Sequence, residues 1–131
     1  MAKYVYPAIF HPNEDDGSYT ITFPDLPGCI TEGKDMANAL FMAQDALEVW
    51  LADSEDQKDS IPVPGAPPQV ADPEFVNLVM ADTTAWRKKY DSRAVKKTLS
   101  IPNWLNTLAE EAGVNFSQIL QDALKERLHI S

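Results

Sequence analysis

Val95–Leu128 reads VKKTLSIPNWLNTLAEEAGVNFSQILQDALKERL, and this stretch decides how the rest of the chain is read. Val95, Lys97, Leu99 and Ile101 alternate with Lys96, Thr98 and Ser100, which predicts a strand with one buried face and one polar, cationic face. Pro102 ends that strand and suits the first turn of a helix, where a missing N–H costs nothing. Leu105, Leu108, Ala109 and Ala112 follow at helical spacing, and Gly113 is placed to cap them. Asn115 can cap a second helix with Ile119, Leu120, Ala123, Leu124 and Leu128 along one side. One strand and two short helices cannot bury these faces, and a lone strand keeps a bare edge. A second copy solves both problems, its strand pairing antiparallel with the first while four helices close beneath. The expected shared core of this homodimer is Leu99, Ile101, Leu105, Leu108, Ile119, Leu120 and Leu124.

Outward from this stretch, charge divides the chain. The 131 residues leave room for one domain or two small ones, and their net charge is −9. Residues 1–85 hold three Lys/Arg against fifteen Asp/Glu, whereas residues 86–131 hold eight against five. An acidic front suits a basic protein partner, and a basic back suits phosphate; acidity also serves solubility. No apolar run approaches about 18 residues, and MAKYVYPAIFHP lacks the apolar centre of a signal peptide. A soluble, cytoplasmic protein with no membrane partner is expected. Cys29 stands alone, which excludes an internal disulfide and argues against structural zinc, so no cofactor is expected.

The front predicts an α+β domain over residues 1–90. KYVYPAIFH (3–11) is a strand in which Pro7 implies an edge or a bulge, and Asn13–Gly17 is a turn. Ser18–Phe23 alternates Tyr19, Ile21 and Phe23 against Ser18, Thr20 and Thr22, a half-buried strand, and Cys29–Glu32 is a third. Gly33 reads as a turn and Asp35 as the cap of a helix near 36–52 that buries Met36, Ala39, Leu40, Ala43, Leu47, Trp50 and Leu51. Residues 53–73 hold five of the ten prolines and read as an exposed connection. FVNLVM (75–80) is apolar enough for a strand buried on both faces. Asp82 can cap a short helix to Tyr90 with Trp86 inward and Arg87, Lys88 and Lys89 outside; 91–93 is then a hinge into residues 94–131.

The back stretch resembles the ribbon-helix-helix repressors through KKTLSIP, the helix after it, and Gly113-Val114-Asn115-Phe116-Ser117 opening the next. In that family a two-stranded ribbon lies in the DNA major groove. The resemblance implies that Lys96, Thr98 and Ser100 read base edges of double-stranded operator DNA, and that the second-helix start, Asn115, Phe116 and Ser117, meets phosphate. The reading set is short and carries one charge, so hydroxyls, water and DNA shape would share the work.

The front has a resemblance of its own. Tyr19-x-x-x-Phe23-Pro24-Asp25-Leu26-Pro27-Gly28-Cys29-Ile30-Thr31-x-Gly33, followed by an Ala- and Leu-rich helix, is similar to the HicB antitoxins. This implies a β-β-β-α-β partial ribonuclease-H-like domain followed by a ribbon-helix-helix domain. It further implies a HicA-like basic toxin as partner, assembly beyond the dimer to a tetramer, and repression of the chain's own operon. Tyr19, Phe23, Asp25 and Glu32 stand in the stretch expected to meet the toxin.

Catalytic readings find little support. The first strand contains no acid, and Glu14, Asp15 and Asp16 share a turn, whereas two-metal nucleases need several carboxylates converging on two metals about 3.5–4 Å apart. His11 and His129 have no acidic or cysteine neighbours at ligand spacing, and Cys29 lacks a nearby base. Trp86–Tyr90 (WRKKY) mixes bases with aromatics, as single-strand binding surfaces do, but fits an ordinary amphipathic helix. No enzyme is expected. The alternative is a ligand-sensing ribbon-helix-helix repressor without a toxin partner, which would need convergent polar ligands that the sequence does not offer.

Overall fold

The computed structural model describes residues 3–91 and 93–130. Ser92, within the expected hinge, lies outside them. The chain forms two units, Met1–Arg93 and Ala94–Ser131. The first contains strands β1 (Lys3–Pro12), β2 (Tyr19–Thr22) and β3 (Ile30–Gly33), helix α1 (Met36–Gln57), strand β4 (Phe75–Asp82) and helix α2 (Thr83–Tyr90). The second contains α3 (Asn103–Glu111) and α4 (Phe116–Arg127).

All strand pairs of the first unit are antiparallel, in the order β3-β2-β1-β4. Pairing of β1 with β2 begins only at Ile9↔Thr22, while its pairing with β4 runs unbroken from Lys3↔Asp82 to Phe10↔Phe75. Pro7 therefore sits where β1 is flanked on one side only, and its missing N–H leaves no ladder bond unmade. Tyr6, Ala8 and Phe10 point inward with Ile21 of β2 and Phe23 just after it, and meet Ala39, Ala43, Leu47 and Leu51 of α1. Each large side chain so buried contributes roughly 1.5–3 kcal/mol.

The helix can lie this close because of Gly33. A Cβ there would stand 2.3 Å from the Ala39 Cα, in the helix backbone itself. Gly33 ends β3 and is a contact point, where the sequence suggested a turn. Asp35 accepts the Asn38 N–H at 2.7 Å and starts α1 as expected, and Asp82 does the same for α2 through Ala85 N–H at 3.0 Å.

Three expectations for this unit need correction. Met36 and Leu40 are exposed, because the stripe facing the sheet is Ala39, Ala43, Leu47 and Leu51. β4 is buried on one face only: Leu78 and Met80 are 64% and 58% exposed, because α1 packs on the face of Val79 and Ala81 and the outer face stays uncovered among the described residues. The proline-rich connection is also tied down. α1 runs on to Gln57, Ile61 packs on the core, the Tyr6 hydroxyl donates to the Pro62 carbonyl, and Gly65 N–H donates to Asp25 Oδ2 at 3.0 Å.

In the second unit Pro102 is the N-cap of α3 rather than its first helical residue. Gly113 adopts φ +69°, and Gly113 and Val114 donate back to Glu110 and Ala109, a glycine-capped helix end. Asn115 Oδ1 accepts Gln118 N–H at 3.0 Å and opens α4. Residues 95–101 form no strand, in contrast to the sequence expectation. A single chain offers no strand to pair with, and backbone groups cannot form a ladder alone.

Gly33→Ala should therefore destabilise the first unit by about 1–3 kcal/mol through overpacking. Urea unfolding followed by tryptophan fluorescence measures it; an unchanged midpoint would show that α1 can move away at no cost.

Candidate functional site

The polar chemistry of the first unit is concentrated where β1, α1 and α2 meet. Tyr4 donates to Glu55 Oε2 at 2.8 Å, Thr83 to the same oxygen at 3.0 Å, and Arg87 to Glu55 Oε1 at 3.1 Å. Arg87 also reaches Asp56 Oδ1 at 2.9 Å and the Ala52 carbonyl at 3.0 Å. It is thus bound to the C-terminal half of α1 rather than turned outward with its neighbours, which corrects the sequence reading. Burial works to raise the Glu55 carboxyl, but hydrogen bonds from Tyr4, Arg87 and Thr83 outweigh it and hold it below the usual glutamate range. Burial, with the Glu55 contact behind it, pushes the Tyr4 phenol up to about 12. Such a satisfied network positions a helix; it presents no free base or nucleophile to a substrate.

The other titratable residues behave likewise. Burial pushes the Cys29 thiol up to about 11, far from thiolate reactivity. His11 Nδ1 lies 3.2 Å from Glu74 Oε2. Among the described residues there is no group of three or more His, Cys, Asp or Glu able to hold a metal ion, and no helix is long and apolar enough to cross a membrane.

The PDLPGC segment is a folded plug. Leu26 is buried, Phe23 and Leu26 exchange backbone bonds with Cys29, and Trp50 Nε1 donates to the Pro27 carbonyl at 3.1 Å. Of the residues expected to meet a toxin, Phe23 belongs to the core and is removed from any contact surface. Tyr19 is half-buried, edge-on to Phe75 with ring centroids 6.2 Å apart, and Asp25 holds Gly65. Glu32 is exposed, on the outer face of the sheet.

That outer face is a surface the sequence reading missed. The pairs Val5↔Met80, Pro7↔Leu78 and Ile9↔Val76 put six apolar side chains side by side on it, of which Val5, Leu78 and Met80 are exposed, Ile9 and Val76 half-buried and Pro7 buried between its neighbours. The signal is present, since KYVYPAIFH and FVNLVM are apolar at both parities, but for FVNLVM it suggests burial on two faces.

In the second unit neither helix contains a buried residue. Leu99, Ile101, Leu105, Leu108, Ile119, Leu120 and Leu124 are all exposed, together with Trp104 and Phe116. Part of this set is aligned: Lys97, Leu99 and Ile101 line one hollow with Phe116, Ile119 and Leu120, the parity the sequence predicts, while Trp104, Leu105, Leu108 and Leu124 are not among its walls. Ser117 lines the same hollow, and Lys96, Thr98 and Ser100 do not. Charge is less favourable than the sequence split suggests. Residues 94–131 carry four Lys/Arg and four Asp/Glu, and the basic surplus after residue 85 lies in α2.

The described residues thus combine a satisfied polar network, an unreactive thiol and uncovered apolar side chains. The family described as HicB_like antitoxin of bacterial toxin-antitoxin system matches residues 6–123, and the chain belongs to it. That family is one of antitoxins. It is 38% identical over 60 residues to Antitoxin HicB 1 of Photorhabdus laumondii, a match covering 46% of this chain and 38% of that antitoxin. It is 33% identical over 49 residues to a UPF0150 protein of Thermoplasma acidophilum, covering 37% of this chain and 71% of that one. Among solved structures, a chain of the toxin-antitoxin complex from Streptococcus pneumoniae is 28% identical with TM-score 0.60, covering 96% of this chain and 99% of that one.

The Glu55 network predicts an acid limb in stability. A depressed folded pKa contributes stability that is present above the unfolded glutamate value, near 4.5, and is lost as pH falls below it. Glu55→Gln should be less stable than the parent chain at pH 7, and the gap should narrow by pH 3.5. Paired urea titrations at the two values test this; a gap independent of pH would contradict it.

Proposed function

We propose that this chain is an antitoxin that neutralises a HicA-like, mRNA-cleaving toxin with its acidic first unit and represses its own operon through residues 94–131. In this reading the second unit pairs with that of another chain. Residues 95–101 of the two chains form an antiparallel ribbon, and Leu99, Ile101, Leu105, Leu108, Ile119, Leu120 and Leu124 become a shared core. The observation that supports it is the absence of any buried residue in α3 or α4 although Phe116, Ile119 and Leu120 line one hollow with Leu99 and Ile101. Aligned but uncovered apolar stripes indicate a missing partner surface.

With the ribbon formed, Lys96, Thr98 and Ser100 face the major groove of operator DNA, and the N-terminus of α4 with Asn115, Phe116 and Ser117 lies at phosphate. Because the second unit has no net charge, affinity would rest on placed contacts more than on general attraction. Masking a toxin needs no chemistry, only a complementary face, and the acidic first unit steers a basic partner toward it. The first unit corresponds to the partial ribonuclease-H-like domain of the family, acting in the cytoplasm. The open sheet face around Leu78 leaves room for assembly to a tetramer.

The test combines gel-shift titration at fixed salt with sedimentation. Lys96→Ala and Thr98→Ala should each weaken operator binding by roughly 1–3 kcal/mol while the dimer persists. Leu99→Asp buries an unpaired charge and should abolish both pairing of the second unit and operator binding. Unchanged operator affinity in all three variants would refute the DNA-binding role.

A further inference from the structure

α1 carries a second stripe that the core does not use. Phe41 and Val49 stand one turn to either side of Asp45 on its outward side, 58% and 45% exposed. Across from them α2 presents Trp86 and Tyr90, a tilted ring pair with centroids 5.6 Å apart. Two adjoining hollows share Phe41, Asp45, Trp86 and Tyr90 as walls. The groove is rigid at its base, because Asp82 caps α2 and Arg87 ties it to Ala52, Glu55 and Asp56. A surface held in place before binding loses little entropy on binding.

Its charge selects the partner. Asp45 and Glu48 line the groove, and Lys89 is the cation among its walls, with its Nζ 5.3 Å from the Tyr90 ring centroid. Exposed aromatic rings beside carboxylates make a surface for a segment that offers an apolar side chain next to Arg or Lys: the rings take the apolar and cationic parts, the acids the charge. The open sheet face is different in kind, since its exposed centre, formed by Val5, Leu78 and Met80, holds no carboxylate and has nothing to choose a basic partner.

We infer that the α1–α2 groove is the toxin-binding surface of this antitoxin, and that it takes a basic amphipathic segment of the toxin. This rests on the proposed antitoxin function and adds the place where it acts.

The experiment measures the affinity of the full chain for the HicA-type toxin encoded beside it by calorimetry, with RNA protection as a second readout. Phe41→Ser should weaken binding about 30-fold or more, as for an aromatic anchor. Asp45→Lys should slow association about tenfold and flatten its salt dependence. Both side chains lie outside the core, so unfolding midpoints and operator affinity should stay those of the parent. Leu78→Ser should leave toxin affinity unchanged. Parent-like toxin affinity in both groove variants overturns the assignment while leaving the antitoxin reading intact. So does loss of binding in Leu78→Ser, or a groove variant that alters oligomeric mass instead, which would make the occupant another copy of this chain. Failure of the unaltered chain to bind the toxin overturns the antitoxin reading, and the groove assignment with it.

Discussion

Residues 94–130 hold two short helices and no buried side chain. Local signals are sufficient to start and stop these helices: Gly113 in the left-handed region, Asn115 bonded to Gln118, Pro102 at the entry. They are insufficient to keep them folded, because helices of this length are marginal in water and take most of their stability from packing. In the proposed function, apolar side chains that one chain leaves exposed make folding of this unit dependent on a second surface. With the proposed pairing, that surface is the same unit of another chain. DNA binding would then exist only in the assembled form, since one chain has half a ribbon.

The first unit is under the opposite regime. Its sheet and α1 bury a full set of side chains, with Gly33 allowing contact at backbone distance. Among its described residues no buried side-chain nitrogen or oxygen lacks a partner. Glu55 and Arg87, which a sequence-level view places among many solvated charges, fix α2 against α1. This unit can be rigid alone, and rigidity is what a neutralising surface needs when it contributes no chemistry.

The sequence made several features legible for identifiable reasons. The element order of the first unit, both aspartate caps and the Gly113-Asn115 junction follow from local rules, and the chain carries them where those rules put them. Tertiary placement was harder. FVNLVM looks the same whether its second face meets a helix or meets nothing, so β4 was read as doubly covered. Phe23 belongs to a motif shared with the family and was read as accessible, yet its strand parity points it into the core. Arg87 could not be assigned to Glu55, because the pairing spans 32 residues and depends on how α2 turns back on α1. The charge split was read at residue 85, whereas the first unit runs to Arg93 and includes most of the surplus cations.

The dependence of residues 94–130 on a second surface can be measured directly by hydrogen exchange on the full chain across a dilution series. Amides of 103–128 should be protected where sedimentation finds dimers and should lose protection as the dimer dissociates, while those of β1, β4 and α1 stay protected throughout. Protection of α3 and α4 that persists unchanged in a chain shown to be monomeric would contradict this dependence.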